Sequence, residues 1–364
     1  MAFLYCKQMP KMRYQMTKLL SDNKDRLLGR KPRQAETKKP PILFKETQAI
    51  IKDLQRHLDG DFLVYWISDT SNMISDDVIA FNKVIQKRSG HKRLFLFIKS
   101  YGGSSKAALR IINLLRSVYE EIIALVPLDC ASAATMLALG ADMIKMGPLA
   151  YLSAIDTSIT HHLSPIDNDN DLVSVSQNEL DRVIRLWGQT KQVNDTNPYK
   201  ELYTYIHPLV IGAVDRASSL SIKLTREILS YHMKDEEKAS QISQHLNSDY
   251  PSHSYPITYV EAQKIGLHVK PLEDKLNEKL LQLNELYSEM AQRAYTDHDE
   301  MFSHDNEIMK IIEIGGEQLF YQKDKDWRYR MEEKRWIPMN DESSWRFLRK
   351  TTRGSTEMSR FYIR

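Results

Sequence analysis

The chain has 364 residues, of which 42% are hydrophobic and 27% are charged, and its formal net charge is only +3. This length accommodates one large core or two modest ones, and this hydrophobic content excludes a wholly disordered chain. So small a net charge does not by itself indicate a nucleic-acid partner, and no apolar run approaches the ~20 residues of a membrane span.

The positive charge is concentrated at the start of the chain. Residues 1–40 hold 11 Lys and Arg against three Asp and Glu. We predict a basic, flexible N-terminal arm over 1–40, whose end is marked by the two prolines Pro40 and Pro41. A solvated tail has this composition, but so do segments that bind nucleic acid or anionic lipid, so nucleic acid stays an alternative partner of the arm.

Cysteine usage and the N-terminal sequence bear on the compartment. The chain has two cysteines, Cys6 and Cys130, which is too few for a disulfide framework. Residues 1–5 are too short for the apolar core of a secretion signal. We therefore expect a cytoplasmic protein.

Strand and helix patterns alternate over the first half of the chain, which predicts parallel βαβ units and an α/β fold. The strands are apolar on both faces, as in a sheet covered by helices on both sides. The predicted elements are a helix over 47–57, a strand over 61–68, a helix over 76–87 with Ser75 as its N-cap, a strand over 93–99, a helix over 104–118, a strand over 121–127, a helix over 132–140 and a strand over 142–146.

The second half begins with a long polar loop over 156–176 and is then mainly helical. A capping box over 176–179 precedes a helix over 180–187. Further helices are predicted over 209–232, 235–249, 259–265 and 272–294, the last as a surface helix that docks on its own domain. We divide the chain into the arm (1–40), a core domain (41–270), an amphipathic helix (271–299) and a small β-containing appendage (300–364).

Two strand-to-helix turns carry the chemistry. The strand over 93–99 ends in a Tyr-Gly-Gly turn that contains Gly102 and Gly103, and the strand over 121–127 is followed by Ser132 and Ala133 at a helix start. Neighbouring parallel strands end at the same edge of a sheet, so the two turns are expected side by side. There Ser132 can attack a carbonyl while glycine and Ala133 amides receive the oxyanion. Equally, a serine at this position often serves only as an N-cap.

These motifs resemble the Clp/crotonase fold, and more narrowly the serine dehydrogenase proteinase family. The resemblance rests on residues 100–103 (Ser-Tyr-Gly-Gly), 132–142, 147–156, 207–212 and 253–267, and it covers about 45–270. It implies a Clp/crotonase-like ββα superhelix core with a helical C-terminal part. Tyr101 departs from the family, which usually has proline before the paired glycines. The resemblance also implies an oxyanion hole formed by Gly102, Gly103 and Ala133.

The same resemblance implies a catalytic set of Ser132, Asp156 and His253. His161 and His207 are the alternatives for the histidine. A Ser-Lys dyad needs a lysine with a lowered pKa, and Lys145 and Lys191 are its poorly spaced candidates. Asp76 and Asp77 are interpreted as a helix start, and the run Asp167, Asp169 and Asp171 lacks the central glycine and terminal glutamate of a calcium loop. No metal and no other cofactor are therefore expected.

Three functions follow. The first is an ATP-independent serine peptidase, because the chain contains no P-loop. The second is a catalytically inactive Clp-fold scaffold that binds a partner or nucleic acid, and the third is a crotonase-type acyl-CoA enzyme. The resemblance implies a homo-oligomer in each case, and a peptide or protein substrate in the first.

Overall fold

The computed structural model describes residues 36–86, 92–168, 170–190, 197–351 and 355–363. Residues 1–35, which hold most of the predicted basic arm, lie outside the described residues. The helices are α1 (Phe44–His57), α2 (Ser75–Ile85), α3 (Ser105–Arg116), α4 (Ala133–Leu139), α5 (Gln177–Thr190), α6 (Pro198–Leu202), α7 (Pro208–Ser230), α8 (Glu236–Ser248), α9 (Tyr259–Lys264) and α10 (Asp274–Met290). The strands are β1 (Asp61–Ile67), β2 (Arg93–Lys99), β3 (Glu121–Val126), β4 (Asp129–Cys130), β5 (Met143–Met146), β6 (Tyr151–Leu152), β7 (Ser158–Ile159), β8 (Val175–Ser176), β9 (Val269–Pro271), β10 (Ala294–Asp297), β11 (Phe302–Ile314), β12 (Glu317–Arg330), β13 (Arg335–Asp341), β14 (Ser344–Lys350) and β15 (Thr356–Phe361).

The chain divides into two compact units. The larger comprises Pro40–Arg293, Glu307–Lys323 and Glu342–Arg364, and it contains the site described below. In the smaller unit, β10 pairs with the start of β11 and β13 pairs with the end of β12, both antiparallel. There the His304 imidazole lies 2.8 Å from the Asp326 carboxylate, which lowers the pKa of Asp326 against the opposing effect of its burial.

The main sheet of the larger unit has the strand order β15-β14-β12-β11-β1-β2-β3-β5-β9 in the described residues. Strands β1, β2, β3 and β5 are mutually parallel, which confirms the predicted βαβ units. On the other side of β1 the sheet continues with β11, which pairs antiparallel. Much of the predicted β appendage therefore extends the core sheet instead of forming a sheet of its own.

Helices cover both faces of this sheet because its central strands are apolar on both faces. In β1, Leu63 and Tyr65 belong to one core cluster, with residues of α2, α3, α4, α7 and α8, while Phe62 and Val64 belong to a second, with residues of α1 and α10. Helix α10 thus docks on its own unit, as predicted, through Leu280, Leu283, Tyr287 and Met290. Each such side chain contributes roughly 1.5–3 kcal/mol when fully buried.

The helix boundaries differ from the predictions mainly at their ends. The prediction that Ser75 is the N-cap of this helix is wrong, since Ser75 is the first residue of α2. The helix starts one residue earlier because the Asp77 carboxylate accepts the Ile74 N–H at 2.9 Å. The capping box over 176–179 is confirmed, since Glu179 accepts from Ser176 N at 2.9 Å while Ser176 Oγ accepts from Glu179 N at 3.2 Å. Helix α5 begins there and outlasts the predicted 180–187. Within the described residues, no helix is long and apolar enough to cross a bilayer.

Candidate active site

Ser132 lies on a sharp turn between β4 and α4. Its backbone has φ 54° and ψ −120°, a conformation that non-glycine residues seldom adopt. The serine occupies the N-cap position, but its side chain makes no capping hydrogen bond. The turn is fixed by the backbone, because Ala131 N donates to Ser100 O at 2.9 Å and Ser100 N donates to Asp129 O at 3.0 Å. The half-buried hydroxyl is therefore not used to cap the helix.

The glycine turn after β2 lies against the serine turn, as the sequence predicts. Gly102 and Gly103 have φ of 109° and 134°, and a Cβ on Gly102 would lie 2.7 Å from Ser132 Cβ and 3.0 Å from Ala133 N. Only glycine permits this approach and this backbone conformation. The Gly102 amide donates to Ser100 Oγ at 3.0 Å. Within the described residues the Gly103 and Ala133 amides have no acceptor, so these two remain for a ligand oxygen.

The segment that follows β6 is tied to the serine turn by a polar network. Ser132 N donates to Ser153 Oγ at 2.8 Å, Ser153 N donates to Thr135 Oγ1 at 3.0 Å, and Thr135 Oγ1 donates to Cys130 O at 2.8 Å. The pairing of β4 with β6 runs alongside these bonds. Sequence reasoning missed Ser153, since no spacing rule points to a side chain that accepts from an amide 21 residues earlier.

Asp156 is held at the end of this segment and bonds His253. Ser221 Oγ donates to Ile155 O at 2.8 Å, and Ile155 N donates to Leu246 O at 3.0 Å, which anchors the chain on α7 and α8. His253 Nδ1 lies 2.7 Å from Asp156 Oδ1. The Asp156 side chain is only 11% exposed while that of His253 is 49% exposed, so the carboxylate is shielded and the imidazole is open.

Backbone pairing brings His253 to this place. Leu152 and Ile257 exchange two backbone hydrogen bonds, Leu152 N to Ile257 O at 2.9 Å and Ile257 N to Leu152 O at 2.8 Å. The serine turn, the Asp156 segment and the His253 segment therefore lie side by side. The hydrogen bond that His253 donates to Asp156 raises the pKa of His253, because it stabilises the protonated ring against the opposing effect of burial.

The alternative histidines are not joined to Asp156. His161 Nδ1 accepts from Leu163 N at 3.1 Å, and His207 Nδ1 accepts from Leu209 N at 3.2 Å as the N-cap of α7. Burial lowers the pKa of His161, with further lowering from His162 and His207. Both rings are thus used locally, and the structure joins only His253 of the three candidates to the carboxylate.

The candidate Lys145 is not at the serine turn. Lys145 Nζ lies 2.7 Å from Glu273 Oε1. With Arg93 and Glu121 it lines a cavity of about 560 Å³ near the amino ends of β2 and β3, opposite the edge that carries Ser132. Lys191 lies outside the described residues.

Two tyrosines beside the turns were missed as a group. Burial first and the negative charge of Asp129 second raise the pKa of both phenols, Tyr101 and Tyr151. Asp129 belongs to β4, the strand that leads into Ser132. Burial likewise raises the pKa of the Cys130 thiol, which makes Cys130 a poor nucleophile.

The acidic clusters have structural partners. Asp77 is fully buried and pairs with Lys310 at 2.9 Å, while Asp167 Oδ1 accepts from Asp171 N at 2.9 Å within its loop. In the described ranges, no group of three or more His, Cys, Asp or Glu side chains is arranged to hold a metal ion.

Several known proteins are similar to this chain. An uncharacterized protein of Methanocaldococcus jannaschii is 26% identical over 214 residues, which are 59% of this chain and 65% of that protein, so the match spans less than two thirds of the relative. Among solved structures, a mutant of the 1510-N membrane-bound stomatin-specific protease is 14% identical with a TM-score of 0.36, and the match covers 60% of this chain and 79% of that one. A ClpP1 mutant from Listeria monocytogenes is 12% identical with a TM-score of 0.32, covering 66% and 99%.

The Clp protease family model matches residues 46–151. This segment contains the parallel strands β1, β2, β3 and β5, the glycine turn and Ser132. The chain is therefore a relative of the Clp protease family, with a Clp-protease-like α/β core that carries the family match over residues 46–151.

Proposed function

We propose that this protein is a serine peptidase that hydrolyses peptide bonds through an acyl-enzyme at Ser132. The observation that carries the proposal is the hydrogen bond between Asp156 Oδ1 and His253 Nδ1, 2.7 Å long, on two segments that backbone pairing holds beside the serine turn. The Clp protease family match supports peptidase chemistry in general.

Each residue of the set has a defined role. Asp156 holds the proton on His253 Nδ1, so Nε2 is the nitrogen that accepts the Ser132 hydroxyl proton. Ser132 Oγ bonds the substrate carbonyl carbon, and the oxyanion accepts hydrogen bonds from the Gly103 and Ala133 amides. Each such donor stabilises the transition state by roughly 2.7–4 kcal/mol. His253 then gives its proton to the leaving amine.

Deacylation repeats these steps with water. His253 takes a proton from water, whose oxygen attacks the acyl carbon, and returns it to Ser132 as the peptide acid leaves. Neither half-reaction requires ATP or a metal ion. The proposal includes a peptide or protein substrate, a homo-oligomeric assembly and a cytoplasmic location.

Labelling with a fluorescent alkyl fluorophosphonate tests the proposal, because this reagent phosphonylates activated serines. We expect the wild-type protein to be labelled at Ser132, and Ser132→Ala to lose the label. Ser230→Ala is a matched control, since Ser230 is an exposed serine at the end of α7. His253→Ala is expected to slow labelling at least a hundredfold, because a positioned general base contributes about 10²–10⁴-fold.

Three outcomes contradict the proposal. Equal labelling of wild type and Ser132→Ala would place any reactivity elsewhere. A folded wild-type protein that takes no label and cleaves no dye-labelled unfolded protein would favour the inactive scaffold, and heat released on titration with a CoA thioester would favour the acyl-CoA enzyme.

A further inference from the structure

We infer that Lys310 on β11 and Asp77 on α2 are positioning residues that hold the glycine turn of the candidate oxyanion hole from behind. The inference rests on the proposed function. Lys310 lies far outside the segment 46–151 that matches the family. The inference therefore gives part of the C-terminal region a role at the proposed active site.

The first step is a buried ion pair. The Asp77 side chain is fully buried and that of Lys310 is 4% exposed, and Lys310 Nζ lies 2.9 Å from Asp77 Oδ1 and 3.1 Å from Oδ2. Tyr65 OH donates to Asp77 Oδ2 at 2.7 Å. Burial raises the pKa of Asp77, and the Lys310 ammonium opposes that rise. Lys310 thus favours the ionised carboxylate, which can accept several hydrogen bonds at once.

The second step joins this carboxylate to the chain segment before α2. Asp77 Oδ2 accepts the Ile74 N–H at 2.9 Å. This bond fixes Ile74 and therefore the neighbouring backbone of Met73, whose side chain is fully buried.

The third step joins Met73 to the glycine turn. Met73 N donates to Gly102 O at 2.7 Å, and Ser104 N donates to Met73 O at 2.9 Å. A Cβ on Gly103 would lie 2.4 Å from Met73 O, so the two backbones are in direct contact. The position of Met73 therefore sets the position of the Gly103 amide.

Removing the ammonium is expected to disturb the turn without breaking it. With Lys310→Met, the buried Asp77 takes up a proton, loses acceptor capacity and holds Ile74 less firmly. The Gly103 amide then points less accurately at the oxyanion, which forms only in the transition state. Such a defect lowers the maximal rate of serine modification and leaves ground-state binding unchanged.

Saturation kinetics of fluorophosphonate labelling separate these quantities. For Lys310→Met we expect the maximal rate constant of Ser132 labelling to fall at least tenfold, while the half-saturating concentration of the fluorophosphonate changes less than threefold. Lys310→Arg, which keeps the charge, is expected to retain most of the rate. Arg93→Met is the matched control, because it removes an ion pair with Glu121 near the opposite edge of the sheet. If Lys310→Met does not fold, Asp77→Asn serves instead, with the same expected split.

The outcomes are distinguishable. An unlabelled wild-type protein overturns the proposed function and this inference together. A labelled wild type whose maximal rate is unchanged in both Lys310→Met and Asp77→Asn overturns the inference alone. A loss that Arg93→Met shares, or one that follows only the fall in melting temperature, also overturns it, because it would show a general effect on stability.

Discussion

Gly102→Ala perturbs the contact between the two turns most directly. The new Cβ would lie 2.7 Å from Ser132 Cβ, 2.8 Å from Ala131 O and 3.0 Å from Ala133 N. Two of these neighbours are backbone atoms, which cannot rotate away. The substitution also places a side chain on a residue with φ of 109°. It should therefore both destabilise the fold and displace the Ala133 amide.

The magnitude follows from these two effects. Backbone strain at such a φ costs about 1–3 kcal/mol, and overpacking of a close contact costs about 1–3 kcal/mol more. We thus expect the free energy of unfolding to fall by about 2–6 kcal/mol. Labelling of Ser132 should slow by about 10²-fold or more, since one displaced oxyanion donor has that effect.

Gly212→Ala is the matched control. Gly212 lies inside α7, and a Cβ there would meet nothing within 4 Å. The same change should stabilise the helix by about 1 kcal/mol and leave labelling unaltered. Urea unfolding followed by circular dichroism measures the first quantity, and fluorophosphonate labelling of the folded protein measures the second. A Gly102→Ala protein as stable and as reactive as the Gly212→Ala protein would refute the proposed packing of the turns.

Three further predictions concern pH and packing. The rate of Ser132 labelling should increase with pH through a midpoint above 6.5, because the pKa of His253 is raised. Asp156→Asn should lower both that midpoint and the labelling rate, the latter by about 10³–10⁴-fold. A pH-independent rate would contradict this prediction. Burial raises the pKa of Glu313 to about 7 from its ordinary 4.5, so the folded state retains a proton that the unfolded chain releases. The free energy of unfolding should therefore fall by about 3 kcal/mol as pH rises from 4.5 to 7, and urea titrations of Glu313→Gln should lack this slope. Leu280→Ala should lower the free energy of unfolding by about 2–5 kcal/mol, since Leu280 is a fully buried residue of α10. A loss below about 1 kcal/mol would argue against the docking of that helix.

The parallel core could be predicted from local patterns alone. Strands that are apolar on both faces and alternate with helices leave few arrangements, and the right-handed crossover brings the glycine turn and Ser132 to one edge. Those two turns are short-range features of β2 and β3. By contrast, β11 pairs with β1 across more than 240 residues, and no local pattern identifies the partner of a strand at that distance.

The proposed catalytic residues divide in the same way, into those that local patterns predict and those that they do not. The pairing of Asp156 with His253 came from the family resemblance, because 97 residues separate the two and neither has a distinctive local motif. His161 and His207 were equally plausible by residue type. They differ from His253 in their local hydrogen bonds, which depend on the loop and helix start where each ring lies. Backbone conformation, rather than composition, therefore decides which ring reaches the carboxylate.

The proposed active site is encoded partly inside and partly outside the segment that matches the family. The segment 46–151 that matches the Clp protease family supplies Ser132 and the glycine turn but ends five residues before Asp156. The proposed base, its orienting carboxylate and the lysine behind the glycine turn are all supplied by later parts of the chain. A relative can therefore keep the whole matched segment and lose the proposed base without losing the fold. In this chain the 2.7 Å bond between His253 and Asp156 is thus stronger support for peptidase chemistry than the serine turn itself.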